Sequence, residues 1–98
     1  MKKMYALTFI YEGVDDYLPF AQSIAVSDDR NKLIAEMAYC VKEDCREIID
    51  EKELERCGET WDNVNYEVYE KYDDQVKLRN KVNSDLYISY TIREIKVL

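Results

Sequence analysis

Residues 27–48 read Ser-Asp-Asp-Arg-Asn-Lys-Leu-Ile-Ala-Glu-Met-Ala-Tyr-Cys-Val-Lys-Glu-Asp-Cys-Arg-Glu-Ile. Leu33, Ile34, Met37, Ala38, Val41, Cys45 and Ile48 recur at steps of three and four. That spacing keeps one apolar face for about four turns and predicts a long amphipathic helix. Ser27 can cap free backbone N–H groups, and Asp28 and Asp29 oppose the positive end of the helix dipole. After Asp50-Glu51-Lys52-Glu53 the helix either continues or gives way to a second short one carrying Leu54 and Cys57. Gly58 is a natural stop.

On the N-terminal side, residues 4–11 alternate. Tyr5, Leu7, Phe9 and Tyr11 share one face, and Ala6, Thr8 and Ile10 the other. Both faces are apolar enough for a central strand. Gly13 and Pro19 punctuate a loop over 12–19, and residues 20–26 form a second strand with Phe20, Ile24 and Val26 inward. A hairpin joins the two most economically.

On the C-terminal side, 59–65 is loop-like, and 66–72 reads as an exposed strand with Tyr66, Val68 and Tyr72 on one side. Residues 73–85 are polar, with a weak anchor in Val76, Leu78 and Val82. Residues 86–97 form a long strand whose apolar phase passes from Leu86, Ile88, Tyr90 and Ile92 to Ile95 and Val97. That change predicts a bulge or bend near Arg93 and Glu94. The expected fold is α+β: an antiparallel sheet of about four strands, in the order ββα(α)ββ, with one long helix on one face.

The chain has 98 residues, 21 acidic and 14 basic, for a net charge of −7. The length suits one domain, which buries roughly 65% of its unfolded surface. There is no His, which excludes His-based acid/base catalysis, His metal ligands and Ser-His-Asp chemistry. Two glycines cannot build a Gly-rich phosphate loop. No apolar run approaches the ~20 residues that span a bilayer, and Met1-Lys2-Lys3-Met4 leads into no signal-peptide core. Cys40, Cys45 and Cys57 are odd in number and widely spaced, as expected of reduced thiols in a cytoplasmic protein rather than a disulfide framework or a zinc site. None has an activating base, so nucleophilic catalysis is not expected.

The charge is concentrated. Residues 43–74 hold 13 acids against four bases. A negative field of this kind repels nucleic acid and attracts basic surfaces, so direct nucleic-acid binding is not expected. Trp61, Tyr66, Tyr69 and Tyr72 lie within the block, and amphipathic aromatics favour interfaces. Tyr69 is expected to be the exposed one. Asp15-Asp16, Asp28-Asp29 and Asp73-Asp74 match no Ca²⁺ loop. Glu94-Ile95-Lys96 has the acid-x-Lys form of metal-dependent nucleases but is too short to be specific, and reads as edge-strand charge.

In size, acidity and compactness the chain is similar to small acidic phage and mobile-element proteins, some of which block host defence nucleases as anti-CRISPR or anti-restriction factors. The similarity rests on no motif and carries over no residue. The expectation is a non-enzymatic binding protein without cofactor or metal. It would set Glu47, Asp50, Glu51, Glu53, Glu55, Trp61 and Tyr69 against a basic protein surface, such as that of a nucleic-acid-processing nuclease. One alternative is an assembly module that self-associates through a sheet edge, as a homodimer. The other is a carboxylate-dependent metal hydrolase.

Overall fold

The computed structural model describes residues 3–12 and 20–96. Strands β1 (Met4–Glu12) and β2 (Phe20–Ser27) precede helices α1 (Arg30–Asp44) and α2 (Glu51–Cys57). A single 3₁₀ turn, Trp61–Asn63, leads to β3 (Tyr66–Tyr72), β4 (Gln75–Asn80) and β5 (Tyr87–Ile95). The strands form one antiparallel sheet in the order β2-β1-β5-β4-β3. The architecture is α+β as expected, with five strands rather than about four and with two helices.

The additional strand is β4. Val76 and Leu78 face the core, Leu78 with no exposure, and Lys77 and Arg79 point away. The third inward position is Asn80, and this polar residue hides the two-residue alternation. Asp73 and Asp74 form the two-residue turn between β3 and β4.

α1 lies on the face built by Leu7, Ile88, Tyr90 and Ile92, and contributes Leu33 and Met37 to the core. The helix is shorter than its apolar spacing suggests. Asp29 caps it by accepting from the Asn31 N–H, and it ends at Asp44 with Cys45 as C-cap. Ser27 accepts instead from the Asp29 N–H. Ile48 lies outside α1 and joins Leu54 and Val64 in a second small core, flanked by Trp61. α2 is the separate short helix, capped by Asp50 and stopped by Gly58 at φ 68°.

Two strand readings are corrected. Ile24 and Val26 are 43% and 54% exposed rather than inward. The β1–β2 register slips between Leu7 and Thr8, leaving Ile24 as the extra residue, and Ala25 turns to the core in its place. The Phe20 side chain and the loop residues 13–19 lie outside the described residues. The second correction concerns β5, whose pairing with β1 runs unbroken from Tyr87 to Ile95, with no bulge at Arg93 or Glu94. β5 is also the middle strand, so Glu94 is not edge-strand charge; it lies past Thr91, where the pairing with β4 ends. β3 carries its own bulge at Tyr69, and Val68 and Tyr72 are exposed while Tyr66 is buried.

Candidate functional site

The acidic block spans the end of α1, a small lobe built on Ile48, Leu54 and Val64, and strand β3. Glu47 and Asp50 lie in the link after α1, and Glu51, Glu53 and Glu55 on α2. All are exposed except Glu53, which is half-buried. The Asp50 carboxylate has a local task, accepting the Lys52 N–H at 2.8 Å to cap α2. Among the described residues the ion pairs are Arg46–Glu43 at 3.7 Å and Arg79–Glu67 at 3.2 Å. Neither involves Glu47, Glu51, Glu53 or Glu55, which share the lobe surface with Lys52 and Arg56 and outnumber them.

Trp61 and Tyr69 each have a local packing role. Trp61 is half-buried against Ile48, Leu54 and Val64 and serves as the outer wall of the lobe's core. Tyr69 is half exposed, and its ring packs edge-on to Tyr87, with centroids 5.5 Å apart. The Lys77 ammonium lies 4.8 Å from the Tyr87 centroid and the Arg79 guanidinium 5.5 Å from that of Tyr69. Tyr87, Lys77 and Arg79 alternate with core residues, so this cation–π cluster lies on the sheet face away from α1.

Two buried asparagines hold the lobe to the sheet. Asn65 pairs by its side chain with the backbone of Ile48, and Asn80 donates to the carbonyls of Trp61 and Val64. No pattern rule marks such residues, because an isolated Asn usually signals a turn.

Beneath the lobe is a cleft of about 490 Å³. Phe9 and Tyr11 of β1, Tyr66 of β3 and Tyr90 of β5 wall it, and Asp44 and Glu59 reach it from either end of the lobe segment. The Tyr90 hydroxyl donates a hydrogen bond to Asp44 Oδ2. Burial pushes the Asp44 carboxyl up to about 6; the Tyr90 hydrogen bond opposes that rise, and Glu59 and Glu43 add to it. Tyr90 is itself driven far above the ordinary phenol range, by burial first and then by Asp44. Burial raises the thiols of Cys40 and Cys45 as well, with Glu36 and Asp44 adding for the first and Asp44 for the second. Both thiolates are therefore disfavoured. The described residues contain no group of three or more His, Cys, Asp or Glu placed to hold a metal.

A stability prediction follows from Asp44. Its folded carboxyl holds a proton more tightly than the unfolded one, so its ionisation destabilises the fold as pH rises from about 4 to about 6. Above pH 6 the cost is complete. Because Asp44 is only partly buried, solvent screening limits it to on the order of 1 kcal/mol. Asp44→Asn keeps an acceptor for Tyr90 and removes the charge. It should be more stable than the parent at pH 7.5 by that amount and indistinguishable at pH 4. Urea midpoints of both proteins at the two pH values check this, and an equal offset at both would refute it.

Comparison with protein-family models, curated proteins and solved structures finds no match for this chain. None of its described helices is long and apolar enough to cross a membrane.

Proposed function

We propose that this chain is a non-enzymatic protein-binding module whose acidic lobe docks on the basic surface of a nucleic-acid-processing protein, of the kind blocked by small anti-defence inhibitors. The observation that carries this reading is the set of carboxylates on Glu47, Glu51, Glu53 and Glu55, in excess over Lys52 and Arg56 and mounted on a lobe tied to the sheet by buried hydrogen bonds. Charge held on a rigid support is preorganised for a complementary surface and steers encounter. The partner's cationic groove would be screened from nucleic acid by occupancy and field together.

Self-association through a sheet edge has less support. The two edge strands, β2 and β3, each carry a bulge, and β3 adds Glu70 and Lys71. Bulges and edge charges blunt strand addition.

The test is capture from nuclease-treated lysate of the native host, with Glu47→Gln, Asp50→Asn, Glu51→Gln and Glu53→Gln combined as control. Asn at position 50 retains the cap of α2. The parent should enrich one basic nucleic-acid-handling protein, and the control should lose it. In a purified pair, the four substitutions should lower affinity roughly 10- to 100-fold and flatten its dependence on salt. Unchanged affinity and salt slope would refute the reading.

A further inference from the structure

The cleft between the sheet and the lobe is distinct from the exposed acids of α2, and its chemistry points to a ligand of its own. Four of its walls are aromatic: Phe9, Tyr11, Tyr66 and Tyr90. Phe9 and Tyr90 meet at 5.4 Å with their planes tilted by 53°, which gives the cleft a folded rather than a flat aromatic lining. Among the described lining residues the charged groups are Asp44 and Glu59, and none is basic.

Asp44 is an awkward residue for the fold alone. It ends α1, where the carbonyl end of the helix dipole already favours positive charge. Glu43 precedes it, and Glu59 acts on it from the opposite wall. Two bases stand equally near in sequence: Arg46 pairs with Glu43, and Lys42, in the last turn of α1, lines a different groove with Ile34, Val68 and Asp73. The Tyr90 hydroxyl hydrogen-bonds the carboxylate but brings no positive charge. Half-burial and two neighbouring carboxylates thus both favour a cation beside Asp44.

The walls decide which cation. A hydrated divalent ion needs a shell of oxygen ligands, and the described residues offer no cluster that supplies one. Aromatic faces beside carboxylates suit an organic ammonium group, attracted by the ring quadrupoles and paired with the acid. We propose that the cleft formed by Phe9, Tyr11, Tyr66 and Tyr90, with Asp44 and Glu59, binds an organic ammonium group. The group can come from a lysine side chain of a bound protein or from a free small amine. The site does not depend on the α2 surface, so neutralising that surface leaves it intact.

Titration followed by NMR of the Phe9, Tyr11 and Tyr90 ring signals tests this. The probes are Nα-acetyl-lysine amide, tetramethylammonium chloride, the neutral isostere neopentane in saturated solution, and potassium chloride at matched ionic strength. Both ammonium probes should move the ring signals saturably, and the neutral isostere and potassium chloride should not. Asp44→Asn should weaken ammonium binding at least about tenfold, because it removes the charged partner while leaving an acceptor for Tyr90. Tyr90→Phe, which retains the aromatic wall, should weaken it less. Binding should also weaken as pH falls through about 6, where Asp44 takes up a proton. The groups that act on Asp44 or its neighbours there are Glu43, Cys40 and Cys45 beside it, Glu59 across the cleft and Tyr90 on β5, with the Lys81 ammonium reaching Cys45 from outside the cleft lining. Tighter binding of the lysine probe assigns the site to a protein side chain, and tighter binding of tetramethylammonium assigns it to a free amine. Equal response to the neutral isostere, unaltered binding by Asp44→Asn, or no ring shift at millimolar ammonium would overturn the proposal.

Discussion

Asn80→Ala should remove about 3–4 kcal/mol of folding stability, the largest effect of any single polar substitution we expect here. Asn80 is 1% exposed and satisfies backbone groups on both sides of its side chain. Nδ2 donates to the Trp61 carbonyl at 2.9 Å and the Val64 carbonyl at 3.1 Å. Oδ1 accepts from the Val82 and Asn83 N–H groups, both at 2.8 Å. An alanine leaves four backbone groups without that partner. Each buried unsatisfied group costs roughly 1–3 kcal/mol, and the turn at 82–83, which can recruit water, sits at the low end. A domain of this size has a total stability of only about 5–15 kcal/mol, so Tm should fall by roughly 15 °C or more. Thermal and urea unfolding followed by far-UV circular dichroism measure the loss. Trp61 fluorescence adds a local readout, since its carbonyl is one of the groups released and its ring walls the lobe core. A loss below about 1 kcal/mol would mean that the four bonds are replaced by water at little cost.

This residue also shows where the sequence stopped being legible. The antiparallel sheet, the β1–β2 hairpin, the amphipathic face of α1 and the Gly58 stop all follow from local pattern, and local pattern is what periodicity and capping rules read. β4 was missed because its third core-facing side chain is an amide, whose reason for being inward lies 16 and 19 residues away in the chain. Ile48 continues the spacing of α1 by accident, since it belongs to the lobe core instead. The inward side of β2 was misassigned because a single extra residue, Ile24, exchanges the faces. The cleft was illegible for a related reason. Phe9, Asp44, Glu59, Tyr66 and Tyr90 come from five separate segments, and each alone reads as an ordinary core or surface residue. The acidic block was visible as composition, but its division into an exposed α2 face and a half-buried carboxylate at Asp44 depends on the tertiary fold. Tyr69 was correctly expected to be exposed, and the bulge in β3 and the attraction of Lys77 and Arg79 set it against Tyr87, beside the Arg79–Glu67 ion pair.

Asn65→Ala should be the second most damaging polar change, at about 3 kcal/mol, and its cost has two separable parts. The first is hydrogen bonding. Asn65 Oδ1 accepts the Ile48 N–H at 2.6 Å, and Nδ2 donates to the Ile48 carbonyl at 2.7 Å, so the side chain imitates a strand neighbour for a residue that is 1% exposed. Its backbone adds an N–H bond to the Arg46 carbonyl and accepts from the Lys81 N–H, stitching the lobe to the bend that follows β4. Truncation leaves both Ile48 groups buried and unpaired. The second part is conformational. Asn65 has φ 64°, a left-handed geometry that Asn adopts more readily than Ala, for which it costs roughly 1 kcal/mol. Asn65→Gly removes that strain but not the hydrogen-bond loss, and gives back part of the gain through the freedom of Gly in the unfolded chain. Gly should therefore recover at most about 1 kcal/mol of the loss seen with Ala. If Gly restored parental stability, the side-chain bonds to Ile48 would contribute nothing and the position would be purely conformational. If Ala and Gly were equally damaging, the bonds alone would set the cost. The same variants bear on function, because the Ile48 backbone leads directly into the capped start of α2, where the acids of that helix begin. If the lobe docks on the proposed partner, a lobe loosened at Asn65 keeps every charge but loses the fixed geometry that docking would use. Asn65→Ala should therefore weaken capture of that partner at temperatures where the sheet itself remains folded.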